Sequence, residues 1–138
     1  MTAAGFLRDN EEMRPSDAFS TTQKRLSIME DCLFCRIARG DIPSRKVYED
    51  DDVLAFRDIH PKAPVHFLII PKKHITSLAE AEPEDAPLLG KMLSLTRTLA
   101  LQEGCRNGFR VIINTGRDGG QEVGHLHIHV LGGPQPWK

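Results

Sequence analysis

The feature that most constrains this chain is residues 125–131, with the sequence HLHIHVL, in which histidines alternate with apolar residues. Successive side chains of a β-strand point to opposite faces of its sheet. The alternation therefore predicts a strand with three imidazoles on one face and Leu126, Ile128 and Val130 on the other. Neighbouring imidazoles are then about 6.6 Å apart at their Cα atoms, at roughly 3.3 Å per residue.

A histidine row of this spacing suits two kinds of chemistry. Two histidines one residue apart chelate a metal ion in sites of the carbonic anhydrase type. Alternatively, a neutral imidazole attacks an electrophile while its neighbours orient it and bind the developing charge. The glycine-rich loop before the run, residues 115–124 (TGRDGGQEVG), can turn backbone N–H groups toward an anion. A phosphate group beside the histidines is therefore expected, and the metal alternative stays open.

The remaining helix and strand signals predict an α+β domain. Residues 32–40 have the apolar spacing and glycine stop of a short helix, and residues 84 to about 103 those of one long helix. The last strand is predicted over residues 125–133, after four others at 46–49, 53–57, 65–71 and 109–114. Short turns join most of them, so a largely antiparallel sheet of five strands is expected.

Length and composition fit one domain that binds a small ligand. The chain has 138 residues, 40% of them hydrophobic, with 18 Lys and Arg against 19 Asp and Glu. This balance argues against a protein that holds nucleic acid by its phosphates, which needs a basic face. Residues 1–30 have no stable apolar period and are expected to be a poorly ordered leader, followed by a domain at 31–138.

Targeting signals and cysteine usage predict a cytoplasmic protein that binds no membrane. No window of 18 apolar residues exists, and Asp9, Glu11 and Glu12 interrupt the segment where a signal peptide would be apolar. Three cysteines are an odd number, and two of them form a Cys-x-x-Cys at Cys32 and Cys35. In a reducing compartment this spacing indicates a metal or redox site rather than a disulfide framework.

The histidine run resembles the signature of the histidine triad (HIT) superfamily. Three segments are similar to its histidine-triad nucleotide-binding (HINT) branch, namely residues 55–59 (AFRDI), 63–74 (APVHFLIIPKKH) and 119–133, which begin GGQ and end LGG. The similarity covers about residues 32–137 and leaves the leader unmatched. It implies the HIT fold and a homodimer in which two five-stranded sheets join, with the long helix at the interface.

This resemblance implies a hydrolase that cleaves the P–N bond of adenosine or guanosine 5'-phosphoramidates through a nucleotidyl-histidine intermediate. The middle histidine, His127, is the implied nucleophile, with its other ring nitrogen held by the backbone. His125 and His129 complete the triad, and His66 is implied to orient it from behind. No catalytic metal is required, since these groups stabilise the transition-state oxygens directly.

The implied nucleotide site has three parts. Asp58 is placed on the ribose hydroxyls, from which a carboxylate can accept hydrogen bonds. Apolar side chains surround the base, while two triad histidines, an asparagine and the glycine-rich loop contact the phosphate. The full set of implied contacts is Phe34, Ile37, Phe56, Asp58, Ile59, Leu68, Asn114, Gly119, Gly120, Gln121, Glu122, His127 and His129.

The resemblance also implies a structural zinc ion. In many bacterial relatives, zinc is bound by two such cysteines, the histidine of a Pro-Lys-x-His segment and the first triad histidine. The matching residues are Cys32, Cys35, His74 and His125. Two thiolates and two imidazoles suit tetrahedral Zn²⁺ and leave no open position for water. A redox role is the weaker alternative, because no thioredoxin-like strand precedes the cysteines.

The chain departs from the HINT pattern at three places. Gly124 stands where an aromatic residue usually precedes the triad, Glu122 stands where serine is common, and the tail after residue 133 is short. In relatives that tail helps set leaving-group preference and completes the dimer. Two other functions therefore stay open: a dinucleoside polyphosphate hydrolase of the same superfamily, and a zinc-stabilised nucleotide-binding interaction module.

Overall fold

The computed structural model describes residues 32–137, which form a five-stranded sheet with a helix on each face. The predicted leader at 1–30 lies outside the described residues. The helices and strands, in chain order, are α1 (Leu33–Ala38), β1 (Lys46–Glu49), β2 (Val53–Arg57), β3 (Val65–Pro71), α2 (Ala86–Gln102), β4 (Phe109–Ile112) and β5 (Ile128–Gly132). Within the described residues, no helix combines the length and apolarity that a bilayer span requires.

The order of strands in the sheet is β1-β2-β3-β5-β4, and each neighbouring pair is antiparallel. The first three strands pair in chain order through short turns. The chain then runs through α2 and β4 before β5 inserts between β3 and β4. The α+β class and the antiparallel five-stranded sheet are thus confirmed, and the strand that carries the histidine run lies inside the sheet.

The two faces of the sheet bury two separate hydrophobic clusters, and successive residues of β2 and β3 belong alternately to one and the other. On one face, α2 packs Met92 and Leu99 against Phe67 and Ile69 of β3. On the opposite face, α1 packs against a second cluster, whose buried members are Cys32, Phe34, Cys35, Ile37, Leu54, Phe56, Leu68 and Ile70. The histidines share this second face, since His129 lies directly opposite Leu68 in the ladder.

The last strand begins three residues later than predicted. Pairing with β3 starts at Ile128, opposite Ile69, rather than at His125. Because β3 ends at Pro71, which has no N–H, the ladder stops, and the N–H of Leu126 donates instead to the carbonyl of Ile75 (2.7 Å). Leu126 is nevertheless buried on the α2 face. The side chains therefore already alternate between the two faces of the sheet before the backbone pairing with β3 begins.

The other differences are at element ends. β4 stops at Ile112, opposite His129 of β5, two residues earlier than predicted. The long helix begins at Ala86 because residues Pro83–Asp85 form a 3-10 turn, in which the Asp85 side chain accepts from the N–H of Glu82 (2.9 Å). Neither difference moves a predicted site residue to another face.

Candidate active site

A pocket of about 500 Å³ opens on the α1 face of the sheet, beside the histidine run. Eleven of the thirteen predicted nucleotide contacts line it. They are Phe34, Ile37, Phe56, Asp58, Ile59, Leu68, Asn114, Gly120, Glu122, His127 and His129. Gly119 and Gln121 do not line the pocket, although both belong to the glycine-rich loop that forms part of its wall. Elements far apart in the sequence thus bring most of the predicted set together.

The pocket has an apolar part and a polar part. Phe34 meets Phe56 edge to face, with ring centroids 5.6 Å apart, and meets the imidazole of His127 in the same way at 5.1 Å. Asp58 lies at the end of β2, where its Oδ1 accepts from the N–H of His60 (2.8 Å). Ile59 is 82% exposed, so it can contribute only to the rim. Such a pocket suits a ligand that is flat and apolar at one end and anionic at the other.

The tautomer of His127 follows from one short contact. Its Nδ1 lies 2.7 Å from the backbone carbonyl of His125. A carbonyl oxygen only accepts hydrogen bonds, so Nδ1 carries the proton and donates it. In the neutral ring the free lone pair is then on Nε2. His127 is buried but lines the pocket, which makes Nε2 a nucleophile available to a bound ligand.

A chain of hydrogen bonds fixes His129 in the opposite tautomer, with the proton on Nε2. The backbone N–H of Lys62 donates to Nδ1 of His66 (3.1 Å), so neutral His66 carries its proton on Nε2. That Nε2 lies 3.1 Å from Nδ1 of His129, which accepts the hydrogen bond. His129 therefore carries its own proton on Nε2. The pocket is lined by one imidazole that can attack and one that can donate.

The local environment keeps these imidazoles neutral at pH 7. Burial, with His127 and His66 as neighbours, lowers the pKa of His129 to about 4. Burial also lowers the pKa of His127, partly offset by its hydrogen bond to the carbonyl of His125. Burial lowers the pKa of His66 against the opposing charge of Asp58. A neutral His127 is what nucleophilic attack needs.

The four residues of the predicted metal site form a Cys/His cluster: Cys32, Cys35, His74 and His125. Their ligand atoms all lie within 4.8 Å of one another. Nδ1 of His125 is 3.2 Å from Sγ of Cys32, and Nδ1 of His74 is 3.1 Å from Sγ of Cys35. A tetrahedral zinc ion needs S···N separations of about 3.6 Å. The cluster therefore fits such an ion with shifts of a few tenths of an ångström.

The positions of the protons at this cluster also suit a metal ion. Nε2 of His125 lies 2.9 Å from the carbonyl of Pro71 and must donate to it, which leaves the lone pair of Nδ1 directed at the cysteines. Burial and the neighbouring Cys32 raise the pKa of Cys35 to about 12. Contacts within the cluster lower the pKa of Cys32 to about 5, against the effect of burial. A dication is the partner that stabilises both thiolates.

A second group of potential ligands, Asp58, His66 and His129, is less suited to a metal ion. The hydrogen bond that His66 accepts from Lys62 requires a proton on Nε2, the atom that faces the other two residues. A metal ion there would have to displace this proton and break the bond to Lys62. The group is therefore better described as a hydrogen-bond relay than as a metal site.

Seven residues that line the pocket were not predicted from the sequence. They are Leu33, Pro43, Ser44, Arg45, Arg57, Lys62 and Val123. Leu33 and Val123 adjoin predicted residues along the chain, a signal that could have found them. Ser44, Arg45 and Lys62 lie outside the helices and strands, in segments without periodicity, so nothing in the sequence pattern singles them out. Arg57 is at the end of β2 and pairs with Glu103 (2.6 Å).

Comparisons with known proteins agree with this architecture. A family model described as HIT domain matches residues 39–135. Protein HitA of Neisseria gonorrhoeae is 53% identical over 106 residues, which are 77% of this chain and 99% of that protein. A crystal structure of a HIT family hydrolase from Legionella pneumophila is 50% identical with a TM-score of 0.74, covering 76% of this chain and 95% of that one. A histidine triad protein from Clostridium difficile gives the same identity and TM-score, covering 77% and 93%.

The low pKa of His129 predicts a loss of stability in mild acid. In the unfolded chain His129 takes up a proton near pH 6.5, but in the folded protein only near pH 4. Between these values the unfolded state binds more protons, so the free energy of unfolding falls as the pH is lowered, by up to about 3 kcal/mol. Urea denaturation at pH 7, 5.5 and 4.5 measures this loss.

His129→Asn is the control, because it removes this titration and keeps a side-chain oxygen that can accept from Nε2 of His66. The variant should lose less stability than the wild-type protein between pH 6.5 and 4. Equal losses in the two proteins would show that the folded structure does not depress the pKa of His129.

Proposed function

The chain belongs to the HIT domain family, and on that premise we propose that it hydrolyses the P–N bond of purine nucleoside 5'-phosphoramidates. The observation that carries the proposal is the fixed tautomer of His127, whose Nε2 lone pair is directed away from the backbone in a pocket with apolar and anion-binding parts. A nucleophile of this kind can displace an amine from phosphorus and form a nucleotidyl-histidine.

In the proposed complex the purine base lies among Phe34, Ile37, Phe56 and Leu68. The ribose hydroxyls donate to Asp58, and the 5'-phosphate lies between His127, His129 and the glycine-rich loop. Two features of the site support this orientation. Apolar side chains and polar groups both line the pocket, and the Nε2–H of His129 supplies a donor beside the nucleophile.

The proposed reaction has two displacement steps at phosphorus. In the first, Nε2 of His127 bonds to phosphorus while the P–N bond breaks, and the nitrogen takes up a proton from the solvent and leaves as an amine. In the second, water attacks phosphorus, the bond to Nε2 breaks and one proton returns to the solvent, so the products are a nucleoside 5'-monophosphate and free His127. Through both steps the His125 carbonyl holds Nδ1–H, which stabilises the positive charge that the ring acquires.

We propose that the Cys/His cluster holds a structural zinc ion. The donor set, the separations of its atoms and the lone pair on Nδ1 of His125 support this assignment. Zinc bound by four protein ligands supplies a cross-link between distant segments and no activated water. Here Cys32 and Cys35 of the α1 segment would be joined to His74 after β3 and to His125 before β5.

Two further proposals concern assembly and location. β4 is an edge strand whose Phe109 and Val111 are 36% and 38% exposed, which supports a homodimer in which two copies pair at this edge. The opposite edge, β1, carries Lys46 and Glu49 in an ion pair and is less suited to pairing. The free thiols of the described cysteines support a reducing, cytoplasmic location.

His127→Ala is expected to abolish turnover while leaving the protein folded and able to bind AMP. The imidazole supplies the attacking atom, so kcat for an adenosine 5'-phosphoramidate should fall at least about a thousandfold. His60→Ala, a change at an exposed histidine outside the pocket, is the matched control and should retain wild-type kcat.

The same assay separates the proposed substrate from the alternative one. Wild-type kcat/KM should be higher for the phosphoramidate than for a dinucleoside polyphosphate. Substantial turnover by His127→Ala would contradict the nucleophile assignment. A preference for the dinucleoside polyphosphate would contradict the proposed leaving group but leave the nucleophile in place.

Purified protein is expected to contain about one zinc ion per chain, measured by atomic emission. Cys35→Ser should lose the metal because it removes one thiolate, whereas Cys105→Ser, a change at a cysteine outside the cluster, should retain it. A chelator should lower the melting temperature before it lowers kcat. Loss of kcat at an unchanged melting temperature would instead indicate a catalytic metal.

Sedimentation equilibrium should give twice the mass of one chain. Val111→Lys should shift the protein toward monomer, because it places a charge on the apolar edge of β4. Lys46→Gln at the opposite edge is the control and should leave the mass unchanged. A wild-type monomer, or a dimer unaffected by Val111→Lys, would contradict this assembly.

A further inference from the structure

The glycine-rich loop adopts a shape that few sequences allow. Gly116 and Gly120 have φ angles of +71° and +78°, and a Cβ on Gly119 would lie 2.3 Å from the carbonyl oxygen of Thr115. Residues 116–120 are exposed, so burial does not hold this shape. Because the loop contributes Gly120 and Glu122 to the pocket, some other interaction must hold it in place for a ligand.

The side chain of Gln121 is the group that holds the loop. Its Oε1 accepts from the N–H of Gly116 (2.8 Å), while the backbone N–H of Gln121 donates to the carbonyl of the same glycine (3.0 Å). Its Nε2 donates to the carbonyls of Thr76 (2.7 Å) and Val123 (2.9 Å). A glutamine amide has two N–H donors, and both are used here. None remains for a phosphate.

One of these contacts anchors the loop outside itself. Thr76 belongs to the segment that follows β3, and the preceding residue, Ile75, accepts from the N–H of Leu126 (2.7 Å). This short segment therefore forms hydrogen bonds with the chain on both sides of Val123 and Gly124, at Gln121 and at Leu126. It also carries His74, so the loop and the Cys/His cluster share one support.

We infer that Gln121 is a positioning residue that clamps the glycine-rich loop for the ligand phosphate and does not itself contact the ligand. The inference takes the identity of the ligand from the proposed function. The family resemblance implies phosphate donors from the backbone of this loop, and the inference adds a separate role for the Gln121 side chain, whose two N–H donors are occupied.

Two substitutions test the clamp in different ways. Gln121→Glu places a carboxylate oxygen against two carbonyl oxygens that now accept from Nε2, which turns attraction into repulsion. Gln121→Met keeps the length of the side chain and removes all of its hydrogen bonds. Gln102→Glu and Gln102→Met make the same changes at an exposed position at the end of α2, outside the pocket, and serve as matched controls.

Calorimetric titrations with AMP and with adenosine separate the phosphate from the rest of the ligand. Both Gln121 variants should bind AMP at least about tenfold more weakly and adenosine within about twofold of the wild-type affinity. With the phosphoramidate, KM should rise more than kcat falls. In Gln121→Met the amide of Gly116 should exchange its hydrogen at least about tenfold faster, as measured by NMR, because it loses its acceptor. The Gln102 variants should match the wild type.

Three results would overturn the clamp. Equal losses of AMP and adenosine affinity would indicate general damage to the fold. Weaker AMP binding by Gln121→Met with unchanged exchange at Gly116 would indicate direct contact with phosphate, and unchanged AMP binding by both variants would show that the loop needs no clamp. These three results rest on ligand binding and hydrogen exchange, so none of them depends on turnover. If the wild-type protein binds neither compound, the proposed function fails, and exchange at Gly116 alone decides whether Gln121 holds the loop.

Discussion

The hydrogen bond from Nδ1 of His127 to the carbonyl of His125 is the interaction on which the rest of the site depends. At 2.7 Å it fixes the proton on one nitrogen of His127 and leaves the other free toward the pocket. It also joins the two candidate sites, because the same His125 directs its own Nδ1 at the cysteines. His125 therefore belongs to both sites: its imidazole lies in the Cys/His cluster, and its carbonyl oxygen orients the imidazole of His127.

The layout of the sheet explains why these sites lie so close together. Side chains of β2 and β3 that face α1 form one apolar cluster, and the imidazoles of the histidine run lie on the same face. The N-terminal end of α1 is at the Cys/His cluster, where Sγ of Cys32 accepts the N–H of Cys35, and Phe34 in its first turn packs against His127. One short helix thus contributes to both the candidate metal site and the candidate base pocket.

The fold and the membership of the site were largely predictable, because each rests on a local pattern. Period-two alternation assigned faces along residues 125–131, even where the ladder stops short of His125. Cysteine spacing and the resemblance identified the Cys/His cluster. Arg45 and Lys62 were not predictable, since they reach the pocket from loops without a pattern. The role of the Gln121 side chain was not predictable either, because its partner, the carbonyl of Thr76, lies 45 positions earlier in the chain.

The sequence by itself determined which side chains share a face, because alternation is a property of the extended backbone. It also determined that thiols and imidazoles suited to a metal ion are present. Only the tertiary structure decided where their protons lie. The tautomer of an imidazole depends on the partner of its second nitrogen, and for His125 and His129 those partners, Pro71 and His66, come from β3. Residues of one chemical type thereby become suited to the different roles that we propose for them: metal ligand, nucleophile and donor.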